Sequence, residues 1–419
     1  MKYLTRFKTE EEYNQAKPQI DKLEYNVSFI DQASENNVRY KGIREPSIIP
    51  NQCSFICDDN NSNPIIPISG DTSWIKGRRC LVKKTDSGVA ICYLDDNNSE
   101  LFHDGTSAKL DGSMGQWMTD IPSYRYSHEG GEYDINNIQN LVHNITLTHN
   151  DTDDSITEWG NKGLFRRCLV GVTEAVVYNY KLWSRKTGNE VTIGNLSSVS
   201  FHNYATVLGN GFDIIDYETH CKIAHLFYAK YGNRNPQGMS QFGSGENLYN
   251  RIIGTTSSLG NNDGKTSTQI TFLGIEDFYG GKYEWMSGLH SNDSIYYIYD
   301  GFEPNNIPTV NYRTIDIGGS YIDGFISKVY WGEHGDMIPI EISKSSAIHY
   351  CDWGDTTRSS WQVARRSYQS NFDDGGVACF VASDKSSDAN RYIDTRIQYR
   401  GSIQVIEDPA EFKALPVGF

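Results

Sequence analysis

From Asn233 to about residue 400 the sequence carries no helix signal, and that gap constrains the fold more than any motif does. Gly-rich turns alternate there with short strand-like runs at residues 269–274, 294–299, 376–381 and 395–400. Just upstream lies the strongest helix pattern, residues 216–231, with Asp216 as N-cap and Gly232 as the C-terminal stop. Ile223, Ala224, Phe227 and Tyr228 give it an apolar side. A chain with one long helix and many short strands must bury its core with sheets, so a β-rich α+β fold is expected. Aromatics at 12%, with 27 Tyr and 38 Gly, suit a turn-rich β protein and are too abundant for disorder. Tyr, Ser, Gly and Asn also serve recognition loops well.

Organisation follows from shifts in pattern. Thr9 followed by Glu12 reads as a capping box opening a helix over 8–17, and residues 26–30 and 37–41 read as a hairpin. These first fifty residues are too few to hold a core alone, so residues 1–50 are expected to attach to a partner. Residues 79–83 and 89–93, separated by a turn at Asp86-Ser-Gly88, form a strong hairpin signal inside a small β-rich unit over 51–145. Residues 127–134 read as a polar loop, and the acidic stretch 145–160 as a boundary. A larger unit over 146–405 and a tail over 406–419 complete the division.

Lys+Arg is 38 against Asp+Glu 53, a net charge of −15, without basic clusters, which argues against nucleic acid as a partner. No run of apolar residues is long enough to span a bilayer, and the first residues lack the apolar core of a signal peptide. Eight scattered cysteines are expected as buried or free thiols; Cys53, Cys57, Cys80 and Cys92 lack the paired short spacing of a zinc site. His220 and His225 are five apart and share no helix face for a metal. No cofactor or metal is expected.

Several segments, in order, resemble a known family. Phe272-Leu-Gly-Ile-Glu-Asp-Phe-Tyr-Gly-Gly-Lys-Tyr-Glu-Trp285 resembles the Gly-Leu-Glu…Tyr-Glu-Trp segment of C-type-lectin-fold proteins, in the branch with formylglycine-generating-enzyme-like domains and the variable proteins of diversity-generating retroelements. Ala364-Arg-Arg-Ser367, Asp374-Gly-Gly-Val377, Asp394-Thr-Arg396 and Tyr399-Arg-Gly401 are similar to the family's ending, and Tyr231–Gln237 fits the stretch after its helix. Asp104–Gly112 with Ile121-Pro-Ser-Tyr124 looks like a module found before such domains in phage tail proteins. Phe7–Tyr13 and Asn26–Ile30 are similar to N-termini of virion proteins of Bacteroidales phages, crAss-like ones among them. The resemblance implies a C-type lectin fold over 146–405, with Glu284, Trp285 and Arg396 as scaffold.

Chemistry is weighed against that background. The enzymatic relatives carry two cysteines five apart near Cys351, but here Ser346 stands at the second position, so their dithiol chemistry is not expected. No Gly-x-Ser-x-Gly elbow occurs. Glu303-Pro304-Asn305 matches a tripeptide of calcium-dependent lectins, yet the companion Trp-Asn-Asp strand is missing. A non-enzymatic phage virion protein is therefore expected, tail- or fibre-associated, and localised to the virion. It would attach to a host glycan or protein, be anchored through its N-terminal segment to other virion proteins, and form a homotrimer without membrane insertion. The expected contact residues lie between scaffold landmarks: Tyr350, Asp352, Trp353, Asp355, Thr356, Arg358, Trp361, Tyr368, Asn371 and Phe372. The alternative is a purely structural virion protein whose lectin-like domain packs on other subunits.

Overall fold

The computed structural model describes residues 49–58, 65–129, 142–149, 163–186, 194–242, 252–293, 295–303, 311–316, 322–332, 334–343, 350, 352–356, 361–366 and 375–419, with the backbone of strands 26–28 and 43–45. The fold is β-rich α+β. No helix among these residues is long and apolar enough to cross a membrane.

Three sheets of five, seven and nine strands carry the architecture. In the five-stranded sheet the order is Leu164–Phe165, Tyr124–Glu129, Val142–His149, Gln52–Asp58, Ile68–Gly70. The seven-stranded sheet runs Phe212–Ile214, Ile397–Tyr399, Cys168–Gly171, Gln116–Ile121, Arg78–Thr85, Gly88–Tyr93, Ile403–Val405. Towards one side of it lies the expected hairpin, Arg78–Thr85 on Gly88–Tyr93, closed by Asp86-Ser87. The nine-stranded sheet is built almost wholly from residues after 282.

Helix α1 (Ser198–Thr206) starts at Ser197, whose hydroxyl accepts from Ser200 N. Helix α2 (Tyr217–Tyr231) starts and stops where its capping signals place it: Asp216 Oδ1 accepts from Thr219 N at 2.8 Å, and Gly232 is left-handed at φ 57°. α2 is buried on nearly every side because it lies between the five- and nine-stranded sheets. Phe55 from one, Trp331 from the other and Tyr228 of the helix form a triad of rings 5.8–6.4 Å apart. A short α3 (Pro409–Ala414) closes the chain.

Several expectations are corrected by this topology. Strands from 51–145 and from 146–405 share the seven-stranded sheet, three of the first flanked on both sides by strands of the second, so the expected boundary at 145/146 does not divide that sheet. Residues 145–149 belong to a strand paired along its length with Gln52–Asp58, and 127–129 belong to the strand Tyr124–Glu129 instead of a loop. The N-terminal pairing joins Asn26–Ser28 to Ile43–Glu45 rather than to 37–41, while the expected helix at 8–17 lies outside the described residues. The C-terminal tail, residues 406–419, is docked on the rest of the protein. Lys83 Nζ donates to the carbonyls of Phe412, Lys413 and Leu415 at 2.6–3.2 Å, satisfying the end of α3, and Phe412 is buried against Phe102. The strand-like run at 376–381 starts later, as Phe380–Asp384.

Candidate functional site

The segments that carry the family resemblance form a buried ionic frame. Arg396 places Nε and Nη2 on Glu284 Oε1 at 3.1 and 2.7 Å, Nη1 on the carbonyls of Gly171 and Val172, and Nη2 on that of Glu276. One guanidinium thus joins the seven-stranded sheet to the nine-stranded one. Arg79 does the same for the loops, reaching Gly274 O, Thr256 O and Thr256 Oγ1 at 2.7–2.8 Å. Burial lowers Arg79 to about 10, and the Glu276 carboxylate pulls it back. Glu276 itself accepts from Gly254 N, Thr256 N and Gln269 Nε2. Trp285 is fully buried and donates to Leu196 O at 3.2 Å. Every donor here is spent on the protein. Glu284, Trp285 and Arg396 are buried and paired within the protein, and so act structurally here.

The expected contact surface divides. Tyr350, Asp352 and Thr356 are in the core, which corrects their reading as contact residues. Tyr350 packs its ring 6.1 Å from Tyr228 of α2. Asp352 accepts from Ala378 N at 2.7 Å and from Gln237 Nε2 at 3.1 Å, holding the turn before strand Phe380–Asp384; a Cβ on Gly376 would stand 2.1 Å from its carboxylate. Thr356 exchanges hydrogen bonds with the backbone of Ile322. Trp353 and Asp355 are half-buried on an inner strand, with the Trp353 ring 5.2 Å from Phe325. Arg358, Tyr368, Asn371 and Phe372 lie outside the described residues, as does the Pro304-Asn305 part of the lectin tripeptide.

Trp361 is different. Half-buried, its ring lies 4.6 Å from that of Tyr297, which in turn lies 5.3 Å from that of Tyr312, a residue 46% exposed. Tyr297 and Tyr312 come from paired strands at the edge of the nine-stranded sheet, and Trp361 immediately precedes strand Gln362–Arg366 on the other side of Tyr283–Asn292, so a run of rings crosses this part of the sheet. Tyr312 stands at the lip of a cleft of about 450 Å³.

That cleft is built where α2 begins. Strand Tyr283–Asn292 bulges between Trp285 and His290, with Gly288 left-handed at φ 79°; a Cβ there would meet Tyr299 O at 2.8 Å. The bulge lets Ile215 and Asp216 lie beside Ser287, which sets the N-cap at the cleft floor. Gly335 closes the far wall, so tightly set that a Cβ would stand 2.3 Å from the Phe165 ring. Asp336, in the same turn, is a bidentate partner of Arg313. Arg400 contacts Asp216 Oδ2 and lies 3.5 Å from Asp300 Oδ1.

Electrostatics separate the carboxylates. Asp216 is consumed by the helix cap, Gln398 and Arg400, and Asp336 by Arg313. Glu218, in the first turn of α2, is pushed up to about 8 by burial, with Lys222 pulling the other way. Its carboxyl keeps most of its proton at neutral pH and can donate as well as accept. Asp300 keeps 54% of its side-chain surface open at the mouth, yet partial burial raises it, opposed by Arg166. Beside them stand Asn311, Tyr299 and His334. The arrangement offers fixed hydrogen-bonding groups under an aromatic lip and suits a polar ligand with one apolar face.

The four cysteines weighed for a zinc site are spread over three cores. Cys53 and Cys57 lie in the core around α2, Cys80 in the core under α1, and Cys92 in the third core beside Phe412. Burial pushes Cys53 and Cys92 up to about 12. Among the described residues no group of three or more His, Cys, Asp or Glu is placed to hold a metal ion. No model of a known protein family matches the chain, and no curated protein sequence does.

Sequence reasoning had singled out helix 216–231 with its N-cap, the run 294–299 and the Tyr399-Arg-Gly401 turn, but not the cleft they share. Its lining comes from segments more than two hundred residues apart, which no local spacing reveals.

Proposed function

We propose that the chain is a phage virion protein, tail- or fibre-associated and of the C-type-lectin-like kind, that recognises a host-surface glycan. The observation that carries the glycan reading is the run of rings Trp361–Tyr297–Tyr312 ending at the polar cleft. Sugars present an apolar C–H face and a rim of hydroxyls. Half-exposed aromatic rings match the first, and Asp300, Asn311 and Glu218 match the second. The virion assignment rests on the ordered motifs of the sequence. Binding, not chemistry, is the proposed role; Asp216 and Asp336 are committed to ion pairs within the protein.

A glycan array probed with the full chain tests this reading. Selective binding that is lost in Tyr312→Ala supports it, and the absence of any glycan signal would refute it. The structural alternative draws on exposed Ile49, Ile56, Ile65 and Ile68, on or beside the edge of the five-stranded sheet, which suit a subunit contact.

A further inference from the structure

We infer that the cleft selects an uncharged saccharide and discriminates against acidic ones. The inference rests on the glycan reading above and adds the ligand's charge class. Guanidinium groups are what a carboxylate or sulfate on a sugar would ordinarily seek. Two line this cleft, and both are engaged from within. Arg313 is held bidentate by Asp336, and Arg400 has Asp216 on one side and Asp300 on the other. A ligand anion would have to displace a bidentate partner and leave Asp336, which is 2% exposed, buried without its countercharge.

Asp300 then decides the balance. It is the most open carboxylate of the lining, so an acidic sugar entering past Tyr312 meets a like charge first. Arg166 stands within electrostatic reach of Asp300 and Glu218 and offsets that charge without being part of the lining. Lys222 is turned inward, its Nζ donating to the carbonyls of Ile121 and Arg166. The guanidinium groups of the site are therefore already paired, and Asp300 is its exposed charge. Hydroxyl and acetamido groups can use such a site through Asp300 and Asn311 as acceptors and the protonated Glu218 as a donor.

The test uses the full chain and matched oligosaccharides on one backbone, ending either in mannose, galactose or N-acetylglucosamine, or in glucuronic or sialic acid. Titration calorimetry is expected to show the acidic set binding about tenfold or more weakly. In Asp300→Asn the ratio between the two sets should move towards one, and raised salt should narrow it in the wild type. Acidic sugars that bind as well as or better than neutral ones would overturn the inference while leaving the glycan reading intact. If neither set binds, the glycan reading fails and this inference falls with it.

Discussion

Residues 350–356 and Trp361 lie within a dozen residues of each other and do opposite things. Tyr350, Asp352 and Thr356 face inward, packed on α2 and on the strand that follows Gly376. Trp361, a few residues on, joins Tyr297 and Tyr312 along the sheet end and keeps surface in water. Tyr and Trp serve cores and contact surfaces equally well, because each has an apolar body and a polar tip. What separates them here is topology. Strand Trp353–Asp355 is an inner strand, flanked by Asp323–Trp331 and Phe380–Asp384, whereas Tyr312–Asp316 is the edge strand of the sheet and Ile295–Tyr299 lies next to it.

The comparison is broken most severely by changes on the inner side. Trp285→Ala and Tyr350→Ala each remove a fully buried ring and should cost roughly 3–5 kcal/mol, read from denaturant midpoints. Arg396→Ala belongs with them, since it leaves Glu284 buried at 1% exposure without its main partner; a loss of about 3–5 kcal/mol is expected. A Tyr350→Ala protein as stable as wild type would put that residue back on the surface.

A smaller effect sharpens the electrostatics of the cleft. Glu218 has its folded pKa raised from 4.5 to about 8, so the native state holds a proton that the unfolded chain releases. The stability tied to this group is fully present below about pH 4.5, falls as pH rises, and is gone above about 8. Glu218→Gln should flatten that slope and raise stability near pH 8 by roughly 1–2 kcal/mol, measured by urea unfolding at acidic and alkaline pH. An unchanged slope would mean that Glu218 ionises freely in water. Smallest of all, Trp361→Ala should change stability by less than about 1 kcal/mol while weakening glycan binding.

How much of this was legible in sequence depended on distance along the chain. Helix α2 was read correctly because its cap at Asp216 and its stop at Gly232 are local chemistry. The hairpin around Asp86–Gly88 was legible for the same reason. Two features were not. The boundary at 145/146 failed because Cys168–Gly171 and Ile397–Tyr399 pair into the same sheet as Arg78–Thr85. The contact surface was misplaced because alternating aromatic and polar residues look alike on an inner strand and an exposed loop, and only the non-local pairing of Gly354 with Gly324 and Phe380 buries this one. The cleft had no local signature. Asp300, Arg313, Asp336 and Arg400 each sit at a strand end or turn and acquire meaning only when the sheets assemble.

The most direct test is one substitution read in two ways. Tyr312→Ala removes the ring that joins the aromatic run to the cleft. Its affinity for the glycan that binds the wild type best should fall about tenfold or more, with the melting temperature shifted by no more than about 2 °C. Unchanged affinity, or a collapse of the melting temperature, would contradict the assignment of recognition to this edge of the sheet.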